Sequence, residues 1–382
     1  MAREPLRNVG ASVRARLLQR SRDERTDFQI LLTRYALERL LYRLSQSEHR
    51  NRFILKGAML FVTWVEAPFR PTRDLDLLGY GENSPEAIGD TFRAICCQPV
   101  DDDGVAFDVD VLEAAPIRED IEYGGVRIRT QAMIAGARIP IQVDVGFGDV
   151  STSGPIEIDY QELFVQPTTC VRAYPIETVV AEKFHALATR GITNSRLKDY
   201  YDLWLIAETF ELERGPLAAA VRRTFARRAT VLPQEKPTAF SEAYVETWGG
   251  QWRTFLTRER MAAAPEQLAT VVADLERFLL PLIEEAEGDW HWTPRAMDSS
   301  TSEPVRRCHY NQVRPPSGAG VVKVRHHTLE NAPSFQANFL GQIWGNAIAK
   351  QCQSTLIRCS SAGRRSCLKL LKNKRKTVHS HD

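Results

Sequence analysis

The chain has 382 residues, 43% of them hydrophobic and 26% charged, enough for a substantial core and two or three domains. No window approaches the roughly eighteen apolar residues of a membrane span, and MAREPLRNVGASVRARLLQR lacks the apolar core of a secretory signal, so a soluble cytoplasmic protein without a membrane partner is expected. The seven cysteines fit neither a zinc spacing nor a disulfide framework and are expected as reduced thiols. The formal charge of +2 averages two unlike pieces: residues 299–382 carry 14 Lys/Arg against Glu303, Glu330 and Asp382, a net of +11, which leaves −9 on the remainder.

In chain order, residues 10–47 read as helix, with Ile30, Leu37, Leu41 and Leu44 at helical spacing, a packing element to which no chemistry is assigned. A strand over 52–56, a helix from about 57 to 66 and a strand over 73–78 follow, with Pro68 and Pro71 marking the loop. Alternation along Asp74-Leu75-Asp76-Leu77 puts both carboxylates on one face. Two like charges side by side repel, and a hard divalent cation is the usual remedy. Taken alone, such a strand is more often an acidic sheet edge, but the preceding Lys56-Gly57 turn argues otherwise. Glycine there lets backbone N–H groups approach a phosphate at the start of the helix. Arg70 and Arg73 border the carboxylates and would either hold triphosphate oxygens or neutralise the aspartates.

After a helix near 84–97, VAFDVDVLEA reads as a strand with Asp108 and Asp110 on one face and Phe107, Val109 and Val111 on the other. Strands near 126–134 and 139–146 form a hairpin at Gly136; in the second, Ile139, Ile141, Val143 and Val145 leave Gln142 and Asp144 on the opposite face. Pro175 starts a helix that ends at Gly191. On it Lys183 lies beside Val179, Val180, Ala186 and Leu187, either snorkelling to water or fixed near a phosphate pocket, while His185 reads as a packing or surface histidine. SRLKDYYDLWLIAE is the next helix, with Asp199 and Asp202 one turn apart and Lys198 placed for an i,i+4 ion pair with Asp202. Residues 214–287 continue as helices, where Arg222, Arg223, Arg227 and Arg228 are either an RNA-backbone contact or a solvated face.

Beyond Asp298 the apolar periodicity fades, and five of the eight histidines and four of the seven cysteines occur there. The segment reads as a basic, disordered, nucleic-acid-holding extension or as a stretch not selected to fold, such as translation past a frameshift. The second is preferred, because its cysteines and aromatics follow no motif and the charge changes sign abruptly.

Glycine turn, helix, then a strand carrying Asp-x-Asp resembles the polymerase-beta-like nucleotidyltransferases. LKGAMLF followed by FRPTRDLDLL, and EKFHAL followed by RLKDYYDL, are similar to the AbiEii/AbiGii-type toxins of bacterial abortive-infection (phage-defence) and toxin–antitoxin systems. The resemblance runs from about residue 10 to 290. It implies an α+β fold: packing helices over 1–50, a mixed catalytic sheet over 51–170, a helical part over 171–290 that closes on the nucleotide, and a tail over 291–382. The activity implied is transfer of a nucleoside monophosphate from a nucleoside triphosphate to an RNA end such as that of tRNA, with a cognate antitoxin as partner. Two Mg2+ ions would be held by Asp74, Asp76 and Asp144, the last taken over Asp108 because the family commonly carries a DhGFGD-like run there. Lys183 is implied as the nucleotide-phosphate contact, Asp199 as its acidic catalytic partner and Asp202 as structural, with Lys56, Gly57, Ala58 and Arg73 lining the nucleotide. Gly57-Ala58 departs from the usual Gly-Ser or Gly-Gly, keeping the backbone donors but losing a hydroxyl. That departure leaves open a catalytically silent binding module, beside transfer to a protein or small-molecule hydroxyl.

Overall fold

The computed structural model describes residues 8–65, 71–117, 124–148, 154–164, 167–284 except 262, and 291–294. Arg70 and the tail beyond 294 lie outside the described residues.

The amino-terminal helix is two helices, α1 (Val9–Asp23) and α2 (Phe28–Gln46). The break has a local cause: Arg25 sits at φ 50°, and the Asp27 carboxylate accepts from the backbone N–H groups of Gln29 and Ile30, capping a new helix. Helix α2 is more than an apolar stripe. Its Arg43 forks onto the buried Asp103 carboxylate at 2.7 and 3.1 Å, and its Arg39 pairs with Glu162 at 2.5 Å. Two loops are thereby tied to the helix on which the sheet rests.

Strand β1 (Phe53–Lys56) leads into a 3-10 turn over Gly57–Leu60 and one α-helical turn, α3 (Phe61–Trp64), shorter than the helix expected to residue 66. There follow β2 (Asp74–Gly79), α4 (Pro85–Cys96), β3 (Ala106–Pro116), β4 (Gly125–Ile134) and β5 (Ala137–Gly146). The β4–β5 hairpin turns through Ala135 at φ 45° and Gly136 at φ 80°, the pair of positive φ values that a two-residue primed turn needs. On β3 the pairing slips between Asp108 and Glu113, so the alternation changes phase: Leu112 is buried, and Val111, expected inward, is 45% exposed.

Strands β6 (Ile156–Tyr160) and β7 (Thr169–Ala173) were not anticipated, although IEIDY and TCVRA both alternate. The sheet is mixed and seven-stranded, in the order β3-β4-β5-β2-β1-β7-β6. Its β7 crosses the boundary expected at residue 170. Helix α2 packs against β5 and β7, with its Leu41 and Leu44 facing the same small cavity as Leu55, Leu77 and Val171. Helix α4 covers β3 and β4. The helical remainder comprises α5 (Ile176–Arg190), α6 (Leu197–Thr209), α7 (Arg214–Arg227), α8 (Glu242–Glu259) and α9 (Leu268–Leu279), with a two-stranded ribbon of β8 (Leu212–Glu213) and β9 (His291–Trp292). It meets the sheet part where Trp64 of α3 packs edge-on against Phe210 at 6.4 Å between ring centroids. No described helix is long and apolar enough to cross a membrane.

Candidate active site

The register of the sheet lines up four charges in one row. Lys56 of β1 lies opposite Asp76 of β2, Asp76 opposite Asp144 of β5, and Asp144 opposite Arg127 of β4. Cross-strand partners share a face, so the row reads positive, negative, negative, positive. The intervening Leu75, Leu77, Val143 and Val145 are fully buried on the other face, which is what fixes the row outward. Asp74, two residues from Asp76, joins the same face. Asp74, Asp76 and Asp144 are each half-buried and offer oxygens that lie within 4.8 Å of one another. Asp108, the other strand carboxylate considered, sits on β3 with the whole of β4 between it and β5.

Gly57 is required by this cluster in a way that differs from phosphate approach. It sits at φ +73°, and a Cβ placed on it would come 2.0 Å from Asp76 Oδ2 and 2.7 Å from the Asp76 Cβ. The missing side chain is the space in which the Asp76 carboxylate stands. A Gly57→Ala change should therefore displace Asp76, and because misplacement of a reacting group by about 1 Å costs about a hundredfold in rate, transfer should fall by that order with the fold retained. Near-normal turnover in that variant would show that the position of Asp76 is not critical.

The cluster is electrostatically strained. Burial first, then the Asp74 charge, push the Asp76 carboxyl up to about 6; Lys56 opposes this, Asp144 adds to it, and Lys198 opposes it. Thr72 Oγ1 donates to Asp74 Oδ1 at 2.5 Å, and Arg127 donates from Nε and Nη2 to the two oxygens of Asp144 at 2.8 and 2.7 Å. Three convergent carboxylates with oxygen donors only suit a hard divalent cation, which would relieve the repulsion. Arg73 is exposed at the entry to β2, and Ala58 is buried behind Gly57.

A second charged cluster joins α5 to α6. Lys183 Nζ lies 2.8 Å from both Asp199 Oδ1 and Asp202 Oδ2, and Arg196 reaches Asp199 at 2.7 Å. Burial pulls the Lys183 ammonium down, but Asp199 and Asp202 outweigh it and hold it above the ordinary lysine value. Burial likewise opposes Asp199, and Lys183 and Arg196 bring it to about 2. Lys183 neither snorkels nor stands alone, and Asp202 holds Lys183. Lys198, exposed in the first turn of α6, instead has its charge felt at Asp76. His185 is a packing residue: it is 8% exposed, its Nε2 is 3.0 Å from Thr230 Oγ1 and its Nδ1 is 3.2 Å from Arg228 Nη1. Arg228 thus turns inward, out of the basic run considered for RNA. The residues that sequence reasoning missed at the site are Arg127 and Lys198.

Among solved structures, JHP933 from Helicobacter pylori is 12% identical with a TM-score of 0.37, over 67% of this chain and 92% of its own. Another structure from H. pylori, described as a candidate nucleotidyltransferase, is 12% identical with a TM-score of 0.38, over 66% of this chain and 97% of its own. No curated protein matches the chain. The family described as nucleotidyl transferase AbiEii toxin, type IV toxin–antitoxin system, matches residues 39–276, well over half of the 382 and inclusive of both charged clusters. The chain therefore belongs to the AbiEii nucleotidyltransferase toxin family of type IV toxin–antitoxin systems.

Proposed function

We propose that this nucleotidyltransferase transfers a nucleoside monophosphate from a nucleoside triphosphate to an RNA end, with tRNA as the acceptor class, in a Mg2+-dependent reaction restrained by its antitoxin. The observation that carries the reading is the convergence of Asp74, Asp76 and Asp144, with oxygens inside 4.8 Å, on a span matched by the family. These three carboxylates would hold the Mg2+. When bound, the metal supplies a lowered pKa for the attacking hydroxyl and charge neutralisation for the departing pyrophosphate.

The chain's own residues supply the rest. Lys56, the cross-strand partner of Asp76, places fixed positive charge beside it, where the triphosphate would lie against the carboxylates, and the Lys198 charge acts on Asp76 more weakly. Such preorganised cations stabilise charge spread over phosphoryl oxygens without reorganising during the reaction. Gly57 leaves room for the Asp76 carboxylate, and Arg73 is exposed at the entry to β2. Lys183 is kept protonated by Asp199 and Asp202, which leaves one of its three N–H donors for a phosphate oxygen.

The test is incubation of the protein with each α-labelled nucleoside triphosphate, Mg2+ and total RNA. Label is expected in a tRNA-sized band with one nucleotide, and chelation should abolish it. Label in protein would replace the acceptor, and no label with any nucleotide would leave a silent binding module.

A further inference from the structure

Asp144 is not a free carboxylate. Both of its oxygens are engaged by Arg127, Nε to Oδ1 at 2.8 Å and Nη2 to Oδ2 at 2.7 Å, in the two-pronged geometry that arginine gives equally to carboxylates and phosphates. The pairing is built into the fold. Arg127 and Asp144 are opposite residues of the β4–β5 hairpin, and their side chains are only 29% and 16% exposed. A guanidinium stays charged at any pH the protein would meet. It therefore stands permanently at the end of the charged row, doing for Asp144 what a metal ion would do.

This has opposite consequences for two arrivals. A divalent cation coming alone meets a carboxylate already matched in charge and a fixed positive group beside it, and like charges at such range repel strongly in a half-buried site. A cation coming with a triphosphate brings phosphate oxygens that can take over the guanidinium fork, so Asp144 is released without leaving Arg127 unpaired. We propose that Arg127 gates cation loading: it makes divalent-metal occupancy of the Asp74, Asp76 and Asp144 cluster conditional on a triphosphate, by holding Asp144 until phosphate oxygens replace it as partner. The proposal rests on the nucleotidyl-transfer reading of the cluster and adds an order of events to it.

The experiment uses the full chain, with Mn2+ as metal and inorganic tripolyphosphate as the nucleotide-independent triphosphate. Binding is read by Mn2+ electron paramagnetic resonance and by the shift in melting temperature, neither of which needs turnover. In the wild type, Mn2+ alone should bind weakly and Mn2+ with tripolyphosphate should stabilise the fold. Arg127→Gln should bind Mn2+ alone at least tenfold more tightly than wild type and Mn2+–tripolyphosphate at least tenfold more weakly. Arg127→Lys keeps the charge without the fork. It should bind Mn2+ alone as the wild type does and Mn2+–tripolyphosphate at least threefold more weakly, a split that decides the matter if the glutamine variant fails to fold.

Equal or weaker binding of Mn2+ alone by Arg127→Gln would overturn the gate, leaving Arg127 as a residue that merely orients Asp144. Lysine and glutamine variants that behave alike would overturn it also, since charge would then not matter. If the wild type and both variants bind Mn2+ in neither form, the metal-dependent reading of the cluster itself falls. That outcome is distinct from a wild type that binds Mn2+–tripolyphosphate and variants that do not differ from it.

Discussion

Asp76→Asn is expected to abolish nucleotidyl transfer and, in metal-free buffer near neutral pH, to raise the melting temperature. Asparagine fits the space left by Gly57 but removes a negative charge that burial and the neighbouring Asp74 oppose. The sign follows from linkage. The Asp76 carboxyl is pushed up to about 6 in the fold, against about 3.9 in an unfolded chain. Stability from this group is thus fully present below the unfolded value and is lost as pH rises through the folded one.

The variant minus wild-type difference in melting temperature should accordingly be near zero at about pH 4, grow to about pH 6, and flatten above about pH 7. Added Mg2+ with tripolyphosphate should raise the wild type and not the variant, closing the gap. Melting curves across that range, beside the label-transfer assay, check both halves. An asparagine variant that melts below the wild type in metal-free buffer would mean that the charge on Asp76 supports the fold, which is incompatible with a cluster poised for cations.

How much of this site could be read in advance depended on whether its contacts were local. The alternation of Asp74-Leu75-Asp76-Leu77 fixed the shared face of two carboxylates, because strand periodicity is a property of the chain itself. The row across β4 and β5 was also within reach: a two-residue turn at Ala135-Gly136 sets Ile134 opposite Ala137, and counting outward brings Arg127 opposite Asp144. The break at Asp27 was legible too, as an aspartate placed to cap a helix.

Other features were not local. The slip on β3 that turns Val111 outward follows from its pairing with β4, not from its own alternating residues. The choice of Asp202's partner is a second case. An i,i+4 count favours Lys198, yet Lys183 from another helix reaches the carboxylate at 2.8 Å, because the placement of α5 against α6 decides it. Helical periodicity says which face a residue occupies and nothing about which element will cover that face. The same limit hid Lys198, whose charge is felt on a strand more than a hundred residues earlier in the chain.

Lys183→Met should be strongly destabilising, although helical spacing alone suggests that methionine would pack there without cost. The ammonium sits between Asp199 and Asp202, whose side chains are 0% and 2% exposed. Removing it leaves Asp202 without this cation and Asp199 with Arg196 in its place. Breaking a buried ion pair by deleting one partner costs about 3–5 kcal/mol, a fall in melting temperature of roughly four to eight degrees for a protein of this size. In the wild type Lys183 is the first of the groups that bring Asp199 down to about 2; without it burial pushes that carboxyl upward, so mild acid should recover part of the lost stability.

The double variant Lys183→Met, Asp202→Asn restores charge balance, since Arg196 and Asp199 then remain as a pair, and it should recover most of the lost stability. Measuring transfer in that double variant separates two roles that the single variant confounds. If Lys183 contacts the nucleotide, transfer should stay down by about two to three orders of magnitude, the loss of one preorganised charge contact. Transfer that returns together with the melting temperature would mean that Lys183 serves the reaction only by holding α5 to α6.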